Sequence, residues 1–244
     1  MSILVSDYDG TLKTCERDMH LNCNRIRDYI ERGNTFVLSS GRSFVSLKKQ
    51  IKENNIPYSY IATCDGNILF DKDDNLLMFK KLSPFMVEEA EKIRNIGVHS
   101  GFKYTYLYDY EDEYDEERPI ASISILVQRD DITDELNQTF KKMQEGHPDI
   151  DFFVYSYKHE SYYMIKPKSI TKATPISFLQ RQLNADKKEI YTIGDNLNDF
   201  EMIRDYNGFM IGYNKDVEQV ALKRYDAVYE LVDDITNKKV LKRW

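Results

Sequence analysis

Short apolar runs alternate with amphipathic stretches over the first third of the chain. Ile3–Ser6, Thr35–Ser39 and Tyr60–Thr63 are compact and largely apolar, the pattern of strands buried on both faces. Between them, Asn24–Arg32 places Ile26 and Ile30 on one helical face and meets a stop at Gly33. Ser43–Asn54 carries Phe44, Leu47 and Ile51 in helical register. Strands alternating with helices predict a parallel sheet with helices on its faces. Asn67–Phe70 and Leu76–Lys80 then flank the polar run Asp71-Lys72-Asp73-Asp74-Asn75, a hairpin signal.

The pattern changes after Leu82-Ser83-Pro84. A helix over Phe85–Asn95 is followed by Tyr-rich strands at Phe102–Tyr110 and Ile120–Gln128. A second helix, Ile132–Gln144, precedes strands at Asp151–Tyr157 and Ser161–Lys166. This helix-strand-strand unit, stated twice, predicts a small α+β domain. From Ile170 the first pattern returns, with helices over Lys172–Leu183, Leu197–Arg204 and Val217–Lys223 and strands at Glu189–Ile193 and Gly208–Ile211. The expected fold class is therefore α/β, a parallel sheet core formed by residues 1–82 and 166–244, with an α+β insertion at 83–165.

At 244 residues the chain is long enough for two modest domains. A mean hydropathy of −0.59 and 31% charged residues argue against a membrane protein. The amino terminus shows no basic region followed by a long apolar stretch, so no secretory signal is expected. Cys15, Cys23 and Cys64 are odd in number and lack metal-ligand spacing, which points to reduced thiols in a cytoplasm. A net charge of −7 argues against nucleic acid as a partner. It also requires any site for an anionic substrate to invert the field locally.

Ligands of open parallel sheets bind beyond the carboxyl ends of the strands, and three of those exits carry chemistry. The first strand leads into Asp7-Tyr8-Asp9-Gly10-Thr11. Two carboxylates two positions apart project to the same side of an extended chain, and they suit a hard divalent cation such as Mg²⁺. They could also divide labour between attack and proton transfer, or the run could be an Asp-rich turn. The second strand leads into Ser40-Gly41-Arg42, either an anion cradle with a guanidinium fork or a helix cap. The late strand leads into Gly194-Asp195-Asn196-Leu197-Asn198-Asp199, acids and amides that read as a metal site or as helix capping. Lys172 could balance charge among these carboxylates, with Lys166 and Lys168 as rivals for the role.

Taken in order, these four segments resemble the motifs of the haloacid dehalogenase superfamily. The order and the insertion are similar to its Cof-type, class IIB phosphatases, which carry an α+β cap between the second and third motifs. The resemblance spans nearly the whole chain and implies a Rossmann-like core under a specificity cap. It also implies a Mg²⁺-dependent phosphatase working on a small phosphorylated metabolite, plausibly a sugar phosphate, through an aspartyl-phosphate. By resemblance Asp7 is the nucleophile and Asp9 the acid/base. Ser40, Gly41, Arg42, Lys172 and Asn198 bind the phosphoryl group, and Asp7, Asp9, Asp195 and Asp199 hold the metal. The family commonly has Asn-Gly where this chain has Asp65-Gly66, and small residues where it has Gly212-Tyr213-Asn214-Lys215.

Two alternatives stand beside the phosphatase. One is a phosphomutase of the phosphomannomutase type, and the other is a non-enzymatic sensor of a phosphorylated ligand. A monomer or homodimer without nucleic-acid or membrane partners is expected. The run Asp109–Glu117 holds seven acids in nine residues, a solvated loop or a selector of positively charged substrates. Tyr104, Tyr106 and Tyr108 share a strand face, as do Tyr155 and Tyr157, either as sheet packing or as stacking platforms. His20, His99, His147, His159 and Trp244 suggest no role.

Overall fold

The computed structural model describes residues 1–94, 100–156 and 158–243. Asn95, His99, Tyr157, Trp244 and the side chain of Tyr155 lie outside the described residues. In chain order the elements begin with β1 (Ile3–Asp7), α1 (Glu16–Glu31), β2 (Thr35–Ser39), α2 (Phe44–Asn54), β3 (Tyr60–Thr63), β4 (Ile68–Asp71) and β5 (Leu76–Phe79). Then come α3 (Phe85–Arg94), β6 (Ser100–Thr105), β7 (Tyr110–Glu111), β8 (Ser122–Gln128), α4 (Asp134–Gly146), β9 (Ile150–Ser156) and β10 (Glu160–Pro167). The chain closes with α5 (Ala173–Gln182), β11 (Ile190–Gly194), α6 (Phe200–Asp205), β12 (Asn207–Ile211), α7 (Lys215–Glu218), β13 (Arg224–Tyr225) and α8 (Val228–Thr236). Two compact units result, Met1–Arg42 with Ser46–Met78 and Thr171–Trp244, and Ser43–Val45 with Phe79–Ile170.

The first unit is built on an eight-stranded sheet in the order β13-β12-β11-β1-β2-β3-β4-β5. Pairing is parallel from β13 through β3, and β4 runs antiparallel to β3. Every residue of β1, β2 and β11 is buried, which is why these strands read as unbroken apolar runs. Ile3, Val5 and Val37 pack with Ile176 and Leu179 of α5 and Met202 of α6 on one sheet face. The chain leaves β1 toward β2 on one side and later returns to β11 on the other. The carboxyl ends of β1 and β11 therefore flank the crevice where strand order reverses, the place where open α/β sheets bind ligands.

The second unit is a five-stranded antiparallel sheet, β7-β6-β8-β10-β9. Met86, Ala90 and Ile93 of α3 and Leu136, Phe140 and Met143 of α4 share one core with Tyr104, Ile125 and Tyr163 of the strands. Phe140 stands edge-on to Phe152 and Tyr163, with ring centroids 5.2 and 4.9 Å away.

The folded chain differs from its local patterns in four places. Helix α1 starts eight residues before the expected Asn24, at Glu16. Its early turns bury Met19 and Cys23 with Asn22 between them, and that buried amide interrupts the apolar stripe. Asn22 Nδ2 donates to the Leu12 carbonyl at 2.9 Å, and its Oδ1 accepts the Tyr229 N–H at 2.7 Å. The expected helix Val217–Lys223 is a single turn, Lys215–Glu218. The Leu222 N–H instead donates to the Gly208 carbonyl, and the Lys223 carbonyl accepts from Met210, which draws the chain onto the sheet edge as β13. Helix α8, unread in the sequence, buries Val228, Leu231, Val232 and Ile235 at helical spacing. Finally, the expected strand Phe102–Tyr110 breaks after Thr105, where the Tyr106 N–H donates to the Asp109 carbonyl and turns the chain.

That turn decides the tyrosine row. Tyr104 and Tyr106 are core residues, whereas Tyr108 is exposed. Tyr104 donates to Glu91 at 2.7 Å. The Tyr106 hydroxyl donates to the Glu113 carbonyl and accepts the Asp115 N–H, so it organises the acidic loop from beneath. Arg118 lies 3.9 Å over the Tyr106 ring and pairs with Asp109 and Glu111. Neither buried tyrosine offers a free face for stacking.

The double tie of Asn22 makes a measurable prediction. Asn22→Ala strands the buried Leu12 carbonyl and the partly buried Tyr229 N–H, where an unmet buried group costs about 1–3 kcal/mol. Urea unfolding should show a loss of about 2–4 kcal/mol with an unchanged slope.

Candidate active site

Strand β1 ends at Asp7, level with Ser39 of β2 and one residue beyond the Ser6–Ile193 pairing with β11. The chain then turns back at once, with Leu12 and Lys13 N–H donating to the Asp7 and Tyr8 carbonyls. Gly10 makes this possible with φ of 83°, and a Cβ there would stand 2.6 Å from an Asp195 carboxylate oxygen. The turn buries Thr11, whose hydroxyl donates to Asp195 Oδ1 at 2.7 Å.

Lys172, at the amino end of α5, is 1% exposed. Its ammonium donates to Asp7 Oδ1 at 2.6 Å and to Asp199 Oδ1 at 2.7 Å. The rival lysines are engaged in the second unit. Lys166 lies over the Phe153 ring, and Lys168 donates to the Pro148 carbonyl. Asp199 turns its other oxygen to the N–H groups of Asp195 and Asn196, closing a capping box with Asn196. Gly194 permits that approach, because a Cβ there would fall 2.4 Å from Asp199 Cγ. Asp199 thus caps with one oxygen and pairs with the Lys172 ammonium through the other.

Oxygens of Asp7, Asp195 and Asp199 lie within 4.8 Å of one another. Burial pushes the Asp7 carboxyl well above the usual range. Lys172 pulls it back down, and Asp199 and Asp195 push it up again. Asp195 is raised too, by burial above all. One ammonium does not balance three crowded acids, and an all-oxygen donor set of this kind fits a hard divalent cation.

Asp9 stands apart from that cluster, with a half-exposed side chain. Arg42 grips it with both arms of the guanidinium, Nε to Oδ2 at 2.7 Å and Nη2 to Oδ1 at 2.8 Å. The Ser40 hydroxyl accepts the Arg42 N–H, and α2 starts only at Phe44, so Ser40 does not cap that helix. Asp7, Asp9, Ser40, Gly41, Arg42, Asp195, Asn196 and Asn198 line a cavity of about 290 Å³. A larger one, about 540 Å³, opens at the other end of the same strands, beside Ser2 and Glu189. Its only acid, Glu189, is paired with Lys242, so the chemistry belongs to the smaller cavity. Sequence reasoning assigned no part to Thr11, Asn196 or Asp65. Asp65 accepts a hydrogen bond from Asn198 Nδ2 at 3.0 Å. Thr11 lay within a motif already singled out, but its partner is 184 residues away.

The crowding of Asp7 sets a sign. A carboxyl whose folded-state pKa is raised keeps its proton after the unfolded chain has lost its own, so stability falls as pH climbs past the ordinary carboxylate range. In metal-free protein at pH 7, Asp7→Asn should therefore raise the melting temperature, and the gap should close as pH falls toward about 4. Differential scanning calorimetry in EDTA checks both halves.

A model of haloacid dehalogenase-like hydrolases matches residues 4–93 and 85–221. The 5-amino-6-(5-phospho-D-ribitylamino)uracil phosphatase YcsE of Bacillus subtilis is 22% identical over 222 residues, covering 89% of this chain and 86% of that protein. Among solved structures, a haloacid dehalogenase-like hydrolase from Bacteroides thetaiotaomicron aligns with a TM-score of 0.79 at 19% identity, covering 96% of this chain and 99% of that one. A subclass IIB sugar phosphatase aligns with a TM-score of 0.74 at 13% identity, covering 99% and 100%. At such identities the structural likeness speaks for the fold, and the family model, spanning most of the chain, speaks for descent. The chain belongs to the haloacid dehalogenase-like hydrolases.

Proposed function

We propose that this hydrolase is a Mg²⁺-dependent phosphatase that cleaves a small phosphorylated metabolite, of the sugar phosphate class, through an aspartyl-phosphate. The observation that carries the reading is the buried Lys172 ammonium held between Asp7 and Asp199 at the strand-order reversal. A carboxylate at 2.6 Å from a fixed cation is poised for attack rather than for packing. The Bacillus subtilis relative, named for a phosphorylated ribitylamino-uracil, supports the metabolite class.

In this reading Asp7 attacks phosphorus and forms an acyl phosphate, displacing the alkoxide. Asp9 gives that alkoxide a proton and then takes one from the water that hydrolyses the acyl phosphate. Lys172 and the Ser40 hydroxyl hold the equatorial oxygens as charge develops on them. A divalent ion held by Asp7, Asp195 and Asp199 would keep Asp7 ionised and polarise the phosphoryl group. The Arg42–Asp9 pair is exposed enough to be worth only about 0–1 kcal/mol, so Arg42 can exchange Asp9 for a phosphate oxygen at little cost. That exchange frees the acid/base as substrate arrives.

Residues 1–82 and 166–244 serve as the catalytic core in this account, and 83–165 as a cap that sets specificity. Among the described residues no helix is long and apolar enough to cross a membrane, which accords with a cytoplasmic enzyme.

Phosphate release from a panel of sugar phosphates tests the reading. Turnover should require Mg²⁺, stop with EDTA, and fall about 10³-fold or more in Asp7→Asn. Turnover retained by that variant overturns the nucleophile assignment. An isomerised product without free phosphate would instead mark a mutase.

A further inference from the structure

Three successive residues at the exit of β3 adopt left-handed backbone, Cys64 at φ 53°, Asp65 at 52° and Gly66 at 94°. Two of them are not glycine. Strain of this kind persists only where the surroundings hold it in place. Here the Cys64 N–H donates to the Arg42 carbonyl at 3.0 Å and the Asp65 N–H to the Ser40 carbonyl at 3.1 Å. The strained turn is thereby pinned to the Ser40-Gly41-Arg42 wall of the cavity, with the Asp65 carboxylate against it. A Cβ on Gly41 would stand 3.2 and 3.3 Å from the two Asp65 oxygens.

The carboxylate does two things from this position. It adds a fifth acid to Asp7, Asp9, Asp195 and Asp199, against two cations, Lys172 and Arg42. Acids therefore outnumber cations around the cavity before any phosphate enters. It also decides how Asn198 is presented. A carboxylate only accepts, so the Asn198 amide must turn its nitrogen to Asp65. The Asn198 carbonyl oxygen makes no hydrogen bond among the described residues, and Asn198 lines the cavity. The wall therefore offers an acceptor backed by negative charge.

We propose that Asp65 is a specificity-determining residue that favours phosphate monoesters with a neutral, hydroxyl-rich leaving group and disfavours those carrying a second anion. The assignment rests on the phosphatase reading. Like charge brought near a partly buried carboxylate is strongly disfavoured, whereas a hydroxyl donor meets the Asn198 oxygen that Asp65 orients.

Sorbitol 6-phosphate and 6-phosphogluconate form a matched pair, since a terminal hydroxymethyl in one is a carboxylate in the other. The wild type should prefer the sorbitol ester about tenfold or more in kcat/KM, and the preference should shrink as salt is raised. In Asp65→Asn it should fall at least about fivefold, mainly through a lower KM for the gluconate ester. Asparagine tolerates left-handed backbone, so this variant should fold, and its melting curve verifies that. An equal preference in wild type and a folded Asp65→Asn overturns the proposal, as does a preference indifferent to salt. Turnover of p-nitrophenyl phosphate but of neither sugar ester also overturns it. A wild type inert toward all three overturns the phosphatase reading, and this assignment with it.

Discussion

A single buried ammonium organises the active centre. Lys172 is drawn out of water between Asp7, 165 residues away in sequence, and Asp199, 27 residues away. Desolvating an amine and two carboxylates is expensive, and their mutual attraction offsets that cost only with good geometry and further hydrogen bonds. Those further bonds are present. Asp199 accepts two backbone N–H groups, and Asp195 accepts the Thr11 hydroxyl. Burial works against a charged amine, but Asp199, Asp7 and Asp65 together hold the lysine firmly protonated. Loss of the ammonium would leave buried carboxylates facing each other, so the interaction governs both the local fold and the chemistry available to it.

The sheet supplies the convergence. Because β1 has β2 on one side and β11 on the other, segments from both ends of the chain open into one crevice. Parallel pairing brings Asp7 and Gly194 to the same end of neighbouring strands, and the turns after them are shaped by close approach. Gly10 lies against Asp195, and Gly194 lies against Asp199. The result is an electrostatically unfinished site, rich in acid and short of cations, on a chain already negative overall. Such a site requires positive charge from outside, and an all-oxygen donor set points to a hard ion.

Around this centre the remaining polar groups regulate access to charge. Arg42 occupies both oxygens of Asp9 in an exposed pair that little energy separates. Asp65, held in strained backbone, occupies Asn198. The exposed pair costs little to break, whereas Asp65 is held by its own N–H bond to Ser40 and that of Cys64 to Arg42.

Much of this architecture was legible in the chain itself. Wherever one local rule acts alone, pattern and structure agree closely. Thr35–Ser39 and Tyr60–Thr63 are strands over the same residues, and Asp7, Ser40, Lys172 and Asp195 all lie at strand or helix ends of one unit. What the pattern concealed depended on partners distant in sequence. The start of α1 at Glu16 rests on Asn22, whose side chain bonds Leu12 and Tyr229 across the fold. Residues 217–223 had helical periodicity, but the helix stops at Glu218, and backbone hydrogen bonds of Leu222 and Lys223 with the β12 edge lead the chain into β13. Tyr106 followed strand alternation, yet it sits beneath a turn. The order of motifs and the alternation of elements are local properties, set by side-chain periodicity and backbone propensity, and the sequence determined them unaided. Which carboxylate meets Lys172, which one Arg42 takes, and which amide Asp65 orients are matters of ångströms across the fold, and only the tertiary structure decided them.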